Sequence, residues 1–284
     1  MTDILVTGGT GTLGRLVTER LRADGHDVRV LSRRSRPYAV DLRENGGGLD
    51  AALGGVETVV HCATSPRGDE RAASNLVAAA GRAGVAHLVH ISIVGVDRVP
   101  LGYYRSKLAA ERVIEDSGLG WTLLRATQFH DLVARVLRPL AKAPVLPLPA
   151  GVGDQPVEVA EVAGRLAELA AGAPAGRVAD LGGPEVRTLE SLARAYLRAT
   201  GRRRQVVKVP LAGKTYRAFR AGGHLAPERA VGTGTFEEYL TARYGGGFMA
   251  LLGAAVLLLA VPMWLAADGT AVHEPGAKAH GSAT

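Results

Sequence analysis

The chain has 284 residues, is 47% hydrophobic and carries a formal net charge of +7 at pH 7. Such a chain can bury a sizeable core in one or two domains, and its single cysteine, Cys62, excludes an internal disulfide. The eight histidines show no metal-ligand spacing, and no secretory signal, helix-turn-helix or zinc motif accompanies the positive charge. We therefore expect no metal, no nucleic-acid partner and a reducing compartment.

The first predicted elements are a short buried strand at 4–6, a glycine-rich turn and a helix that ends near Gly25. Strand, glycine turn and helix together are the context of a dinucleotide-binding fingerprint. The glycines permit the tight turn, the close approach of a pyrophosphate and close packing of the helix on the strand. The cofactor contacts predicted here are Gly8, Gly11, Thr12, Leu13 and Gly14.

A second predicted strand at 28–31 ends in Ser32, Arg33 and Arg34. An acidic residue at this point bonds the ribose 2′-hydroxyl of NAD, whereas arginine accepts the 2′-phosphate of NADP. Guanidinium groups pair with phosphate through bidentate, charge-assisted bonds. Because the sequence has arginines and no carboxylate here, we predict that NADP(H) is preferred over NAD(H). The alternative is a basic turn that faces water.

Residues 39–42 are predicted as a short third strand or a strand end. Asp41 at its end is a candidate to bond the adenine amino group, and it is equally well explained as a turn residue. Asp41 and Leu42 are therefore included among the candidate cofactor contacts.

Strands and helices then alternate. Helices are predicted at 49–53 and 69–83, and strands at 57–63 and 87–91. This alternation predicts a parallel sheet with helices on both faces. Ligands of such sheets bind outside the carboxyl ends of the strands, so we expect Ala63 and Thr64 to lie beside the cofactor.

Ser92 stands at the end of the strand predicted at 87–91, and Tyr103 and Lys107 follow it in a predicted helix. Tyr103 and Lys107 are four residues apart and therefore share one helix face. An ammonium group near a phenol favours the phenolate, which prepares the phenol to exchange a proton with a substrate oxygen. We predict Ser92, Tyr103 and Lys107 as catalytic residues, with Lys107 also a candidate contact of the nicotinamide ribose. Tyr104 is the competing tyrosine, and an exposed helix start is the alternative.

Four segments carry a family resemblance: 7–14, Ser92, 103–107 and 121–129. With these the chain resembles the NmrA-like, NAD(P)H-binding branch of the atypical short-chain dehydrogenase/reductase superfamily over about residues 1–244. The resemblance implies a Rossmann-type, doubly wound parallel α/β sheet and a nicotinamide cofactor. It also implies the same catalytic set. Some members of this branch bind NADP(H) as redox sensors and catalyse nothing.

The second half has no motif of its own. Residues 130–156 are rich in proline and glycine and are predicted to be irregular, as an apolar wall of a substrate cleft or a connecting loop. Helices are predicted at 159–171, 188–200 and 235–243, and a strand at 206–209. We expect a dinucleotide-binding core at 1–129 and a substrate-binding part at 130–244.

The last segment begins with a glycine linker at 245–247, and residues 248–267 then run without a charge. A helix of twenty residues spans about 30 Å, the thickness of the bilayer's hydrocarbon core. We predict a membrane helix at 248–267 and a disordered tail at 268–284, with the preceding domain on the cytoplasmic side. A core or dimer helix is the alternative.

The leading hypothesis is an NADP(H)-dependent oxidoreductase of a small carbonyl, enone or quinone-like compound. The sequence predicts no particular oligomeric state. A non-catalytic NADP(H)-binding sensor is the first alternative. A nucleotide-sugar epimerase or dehydratase is the second, disfavoured because no nucleotide-sugar site is evident.

Overall fold

The structure, a computed structural model, describes residues 2–44, 48–65 and 67–245. The strands are β1 (Asp3–Thr7), β2 (Asp27–Leu31), β3 (Thr58–His61), β4 (His87–Ile93), β5 (Gly120–Ala126), β6 (Val145–Pro149), β7 (Gly153–Asp154), β8 (Gly176–Arg177), β9 (Arg187–Thr188) and β10 (Gln205–Val209). The helices are α1 (Thr12–Ala23), α2 (Gly48–Leu53), α3 (Asp69–Ala83), α4 (Gly102–Glu115), α5 (His130–Leu140), α6 (Val159–Ala171), α7 (Leu189–Ala199) and α8 (Lys214–Arg220). A 3₁₀ turn covers Pro227–Arg229, and the chain is helical again over 236–245.

Six parallel strands form the central sheet in the order β2-β1-β3-β4-β5-β8. β1 pairs with β2 on one side and with β3 on the other, so the direction of winding reverses at β1. In open α/β sheets ligands bind at this switch point, outside the carboxyl ends of the strands. The predicted fold class, a doubly wound Rossmann-type sheet, is confirmed.

Helices cover both faces of the sheet. On one face, α1 and α6 pack on inward residues of β1 and β4 such as Ile4 and Val89. On the other, α2, α3 and α4 pack on Leu5, Val59 and Leu88. Successive strand residues therefore point into two different cores, which explains why the strands are hydrophobic throughout rather than alternating.

The prediction of an irregular segment at 130–156 is wrong. Helix α5 begins at His130, and Val133, Ala134 and Leu137 form its buried stripe. Pro139 lies inside the last turn of α5, so its missing N–H costs only a terminal hydrogen bond. β6 follows and pairs in parallel with β10 in a separate small sheet. A second small sheet joins β7 and β9.

The third strand predicted at 39–42 is also wrong. Only an isolated bridge joins Ser32 and Ala39. The chain turns immediately afterwards because the Asp41 carboxylate accepts the backbone N–H of Arg43 at 3.0 Å. The later helices and the strand predicted at 206–209 are confirmed, with α7 capped by the hydroxyl of Thr188.

Within the described ranges, no helix is both long enough and apolar enough to cross a bilayer. The membrane helix predicted at 248–267 and the tail predicted at 268–284 lie outside the described residues.

Candidate active site

The turn between β1 and α1 can be built only with glycine at two positions. Gly8 has a φ of +67°, and a Cβ added there would lie 2.7 Å from the Cα of Ala63. A Cβ on Gly14 would overlap the carbonyl oxygen of Gly8. The turn is closed by the N–H of Gly11, which donates to the Gly8 carbonyl at 2.9 Å. These contacts bring α1 directly against the carboxyl ends of β1 and β3.

The start of α1 fits a pyrophosphate. Its N-cap residue, Gly11, offers no side chain to the helix, and a Cβ added there would meet only the Gly8 carbonyl oxygen, at 3.2 Å. The first N–H groups of a helix, here those of Thr12 and Leu13, have no acceptor within the helix. With the positive end of the helix dipole, they form an anion site. The predicted phosphate contacts thus have the geometry that a dinucleotide needs.

The residues after β2 form a short basic turn. The Ser32 hydroxyl accepts the backbone N–H groups of Arg34 and Ser35 at 3.3 and 3.1 Å. Arg33 and Arg34 are exposed, and in the described part of the chain neither guanidinium has an ion-pair partner. Both positive charges are therefore available to an anionic ligand.

Asp41 and Leu42 are placed differently from the rest of the predicted cofactor contacts. The Asp41 carboxylate accepts hydrogen bonds from the Arg43 side chain at 2.6 and 3.0 Å, and these bonds lower the pKa of Asp41 to about 2. Leu42 is 5% exposed and belongs to the core beneath α3. The geometry favours the turn interpretation of Asp41 over an adenine contact.

Tyr103 and Lys107 of α4 meet the carboxyl end of β3 through two further residues. The Tyr103 hydroxyl lies 2.9 Å from Thr64 Oγ1, which donates to Asp69 Oδ2 at 2.8 Å. Lys107 Nζ forms an ion pair with the same carboxylate oxygen at 3.3 Å, and both side chains are almost fully buried. The backbone N–H of Ser65 donates to Asp69 Oδ1 at 2.7 Å. Asp69 is therefore the centre of the cluster, and sequence reasoning missed it.

Two buried histidines lie beside this cluster. His61 of β3 and His90 of β4 stack with ring centroids 5.0 Å apart, and His61 Nδ1 lies 2.7 Å from Thr7 Oγ1. Burial, with a contribution from the Lys107 ammonium, lowers the pKa of His61 to about 3. Burial also holds the pKa of His90 well below its usual value. Both rings are therefore neutral at neutral pH. Burial likewise raises the pKa of the Cys62 thiol to about 12, which makes it a poor nucleophile.

Ser92 lies near the carboxyl end of β4 and is 3% exposed. Its hydroxyl has no hydrogen-bond partner among the described residues, and no hydrogen bond there joins it to Tyr103 or Lys107. A buried hydroxyl without a partner is costly, so this position suits a group that bonds a ligand.

Tyr104, the competing tyrosine, points into a different environment. It is 3% exposed, its hydroxyl accepts a hydrogen bond from Gln128 at 2.9 Å, and its ring lies 6.1 Å from that of Phe219. Burial and the nearby Asp154 carboxyl raise the pKa of Tyr104. Burial also raises the pKa of Asp154 to about 7. Asp154 was not found from the sequence as part of a site, because β7, which carries it, is only two residues long.

A second buried ion pair holds α4 in place. The guanidinium of Arg125, on β5, donates to both carboxylate oxygens of Glu111 at 2.9 and 2.5 Å and to Asp97 at 2.8 Å. Since Glu111 lies one helical turn after Lys107, this clamp fixes the helix that presents Tyr103. Within the described residues, no group of histidine, cysteine and carboxylate side chains could hold a metal ion.

The fold and the glycine turn together define a dinucleotide-binding protein of the α/β class. Residues 8–170 match the family model described as NAD(P)H-binding. The chain belongs to this family of NAD(P)H-binding proteins. The family resemblance stated from the sequence is confirmed.

Several characterised relatives are reductases. The chain is 34% identical over 220 residues to (4-alkanoyl-5-oxo-2,5-dihydrofuran-3-yl)methyl phosphate reductase of Streptomyces griseus subsp. griseus, an alignment that covers 70% of this chain and 74% of the relative. It is 31% identical over 136 residues to quinone oxidoreductase 2 of Escherichia coli K12, covering 43% and 47%. The crystal structure of an NADPH-dependent quinone oxidoreductase from E. coli with NADPH has a TM-score of 0.71 at 21% identity, covering 85% and 99%. The chain is an NAD(P)-dependent oxidoreductase.

Proposed function

We propose that this chain is an NADP(H)-dependent reductase of conjugated carbonyl compounds, enones or quinones. The observation that carries the proposal is the hydroxyl of Tyr103, half-buried at the carboxyl end of β3 and bonded to Thr64. This is the edge of the sheet where the glycine turn prepares a dinucleotide site. The two relatives are a keto-dihydrofuran reductase and a quinone oxidoreductase, and both are named for conjugated carbonyl substrates.

The chemistry follows from the side chains. When bound, the nicotinamide supplies a hydride to the electrophilic carbon of the substrate. Tyr103 donates its phenolic proton to the substrate oxygen. The Ser92 hydroxyl, which has no hydrogen-bond partner among the described residues, donates a hydrogen bond to the developing charge on that oxygen. Two hydroxyl donors suit a carbonyl that accepts one hydride and one proton.

The cofactor preference rests on the turn after β2. Arg33 and Arg34 are exposed, and within the described part of the chain neither has an ion-pair partner. The 2′-phosphate of NADP(H) brings two negative charges that these arginines can pair with and that the free 2′-hydroxyl of NAD(H) lacks. We extend the proposal to a preference for NADP(H) over NAD(H).

We also propose that residues 248–267 tether the enzyme to a membrane, with the reductase domain in the cytoplasm where the cofactor is found. The support is the uncharged length of the segment. The full chain should sediment with membranes and resist a carbonate wash, and Leu258→Arg should release it. A full chain that stays in the supernatant without detergent would exclude the tether.

The activity is tested with purified full-length protein, NADPH, and a panel of quinones, enones and aldehydes. We expect NADPH oxidation with at least one conjugated carbonyl and little with saturated aldehydes. Preference for saturated aldehydes would contradict the proposed substrate class.

A further inference from the structure

The Tyr103 hydroxyl and the buried Asp69–Lys107 pair are joined through a single side chain, that of Thr64. Thr64 Oγ1 lies 2.9 Å from the Tyr103 oxygen and 2.8 Å from Asp69 Oδ2. A threonine hydroxyl has one proton and an ionised carboxylate can only accept. The proton of Thr64 therefore lies on the bond to Asp69, and Thr64 accepts the proton of Tyr103.

Asp69 is held so that it cannot turn away from this bond. It is 3% exposed, its Oδ1 accepts the Ser65 N–H at 2.7 Å, and its Oδ2 faces the Lys107 ammonium at 3.3 Å. As the first residue of α3, it also lies at the positive end of that helix. In the described part of the chain, no hydrogen bond joins Tyr103 directly to Lys107.

We infer that Thr64 and Asp69 are positioning residues for proton transfer at Tyr103, with Thr64 acting as a hydrogen-bond switch. This inference rests on the proposed function. While Tyr103 is a phenol, Thr64 donates to Asp69. When the Tyr103 O–H bond breaks and the proton forms a new O–H bond on the substrate oxygen, Thr64 rotates its hydroxyl hydrogen to the phenolate. Asp69 keeps its bonds to Ser65 and Lys107, and no other proton moves.

The other titratable groups around the cluster do not compete for this switch. His61 of β3 and His90 of β4 face Lys107, and burial keeps both rings neutral because it lowers their pKa values. Tyr104, the neighbour of Tyr103 on α4, has its ring centroid 6.4 Å away and its hydroxyl bonded to Gln128. Asp69 and Lys107 are thus the charged groups that the Thr64 hydroxyl connects to Tyr103.

The test follows the ionisation of Tyr103 by NMR in the full-length protein with isotope-labelled tyrosine. Tyr103→Phe identifies the signal among the seven tyrosines. Thr64→Val removes the donor that stabilises the phenolate and should raise the ionisation midpoint of Tyr103 by about one pH unit. Thr64→Ser keeps the hydroxyl and should restore the wild-type midpoint. Asp69→Asn removes a negative charge and should lower it.

A wild-type midpoint in Thr64→Val would overturn the inference. If Asp69→Asn does not fold, Thr64→Val still provides the test, because it keeps the side-chain volume and the Asp69–Lys107 pair. The readout needs no substrate. If the midpoints move as expected but the protein does not oxidise NADPH with any of the acceptors, the switch would be supported and the proposed function contradicted.

Discussion

Helix α4 carries two buried ion pairs one turn apart, and they are built differently. Glu111 meets Arg125 through two charge-assisted hydrogen bonds, and Asp97 takes up a third bond of the same guanidinium. Lys107 meets Asp69 at 3.3 Å, and that carboxylate also holds the Thr64 hydroxyl that contacts Tyr103. The first pair is bonded only to groups of the scaffold. The second leads to a half-buried hydroxyl at the edge of the proposed site.

The two ion pairs of α4 therefore have different roles, one in stability and the other in the proposed chemistry. A buried guanidinium with paired carboxylates is costly to break, because removal of one partner leaves an uncompensated charge. A buried pair that ends in a tyrosine hydroxyl instead fixes where a proton points. We expect changes at Glu111 to alter the folding free energy and changes along Lys107, Asp69 and Thr64 to alter proton transfer.

The largest effect is expected at Tyr103. Tyr103→Phe removes the proton-transfer oxygen alone, so turnover should fall by about 10² to 10⁴-fold while NADPH affinity is unchanged. Steady-state kinetics and calorimetric titration measure the two quantities. Tyr104→Phe is the matched control, since its hydroxyl bonds Gln128, and it should keep most of the activity. A reversal of the two results would assign the chemistry to Tyr104.

Glu111→Gln breaks the scaffold pair. The loss of one partner of the buried Arg125 should cost about 3 to 5 kcal/mol of unfolding free energy, measured by denaturant titration. Glu115→Gln, at an exposed position of the same helix, should cost almost nothing. Turnover per folded molecule should stay near wild type in both. Normal stability with lost turnover in Glu111→Gln would contradict the assignment of a stabilising role to this pair and of a proton-transfer role to the Asp69–Lys107 pair.

Asp154 offers a third case, a buried carboxyl whose hydrogen bond within the described chain comes from the Gln155 N–H. Burial raises its pKa from 3.8 to about 7, so the folded state binds its proton more tightly than the unfolded state. This contribution is complete below pH 3.8 and is lost as the pH rises from there through 7, by roughly 4 kcal/mol. Asp154→Asn should remove this decline. Unchanged pH-dependent thermal unfolding in the variant would show that Asp154 ionises freely.

The smallest effect is expected for exposed charges. Arg33→Ala combined with Arg34→Ala should weaken NADPH binding about tenfold or more, because two charge-assisted phosphate contacts are lost. NADH affinity should barely change. Arg15→Ala combined with Arg20→Ala, on the exposed side of α1, controls for total charge. Equal losses for NADPH and NADH would contradict the assigned role of the turn.

The fold was predictable where the backbone itself limits the residue type. Only glycine fits at Gly8 and Gly14, and the alternation of strands and helices follows from the apolar periods. Tyr103 and Lys107 were found because their spacing is local. Asp69 was not, because its contacts to Lys107 depend on how α3 packs against α4. An aspartate at the start of a helix that follows a strand end was the available signal. Helix α5 was missed because Pro139 outweighed the apolar stripe, although Pro139 lies only one residue before the end of the helix.

The most direct test of the account is NADPH oxidation by the full-length protein with a quinone and an enone, in parallel for the wild type and Tyr103→Phe. We predict turnover with at least one acceptor in the wild type, loss of turnover in Tyr103→Phe, and equal NADPH affinity in the two. NADPH binding with no oxidation of any acceptor by the wild type would contradict it and favour a non-catalytic sensor.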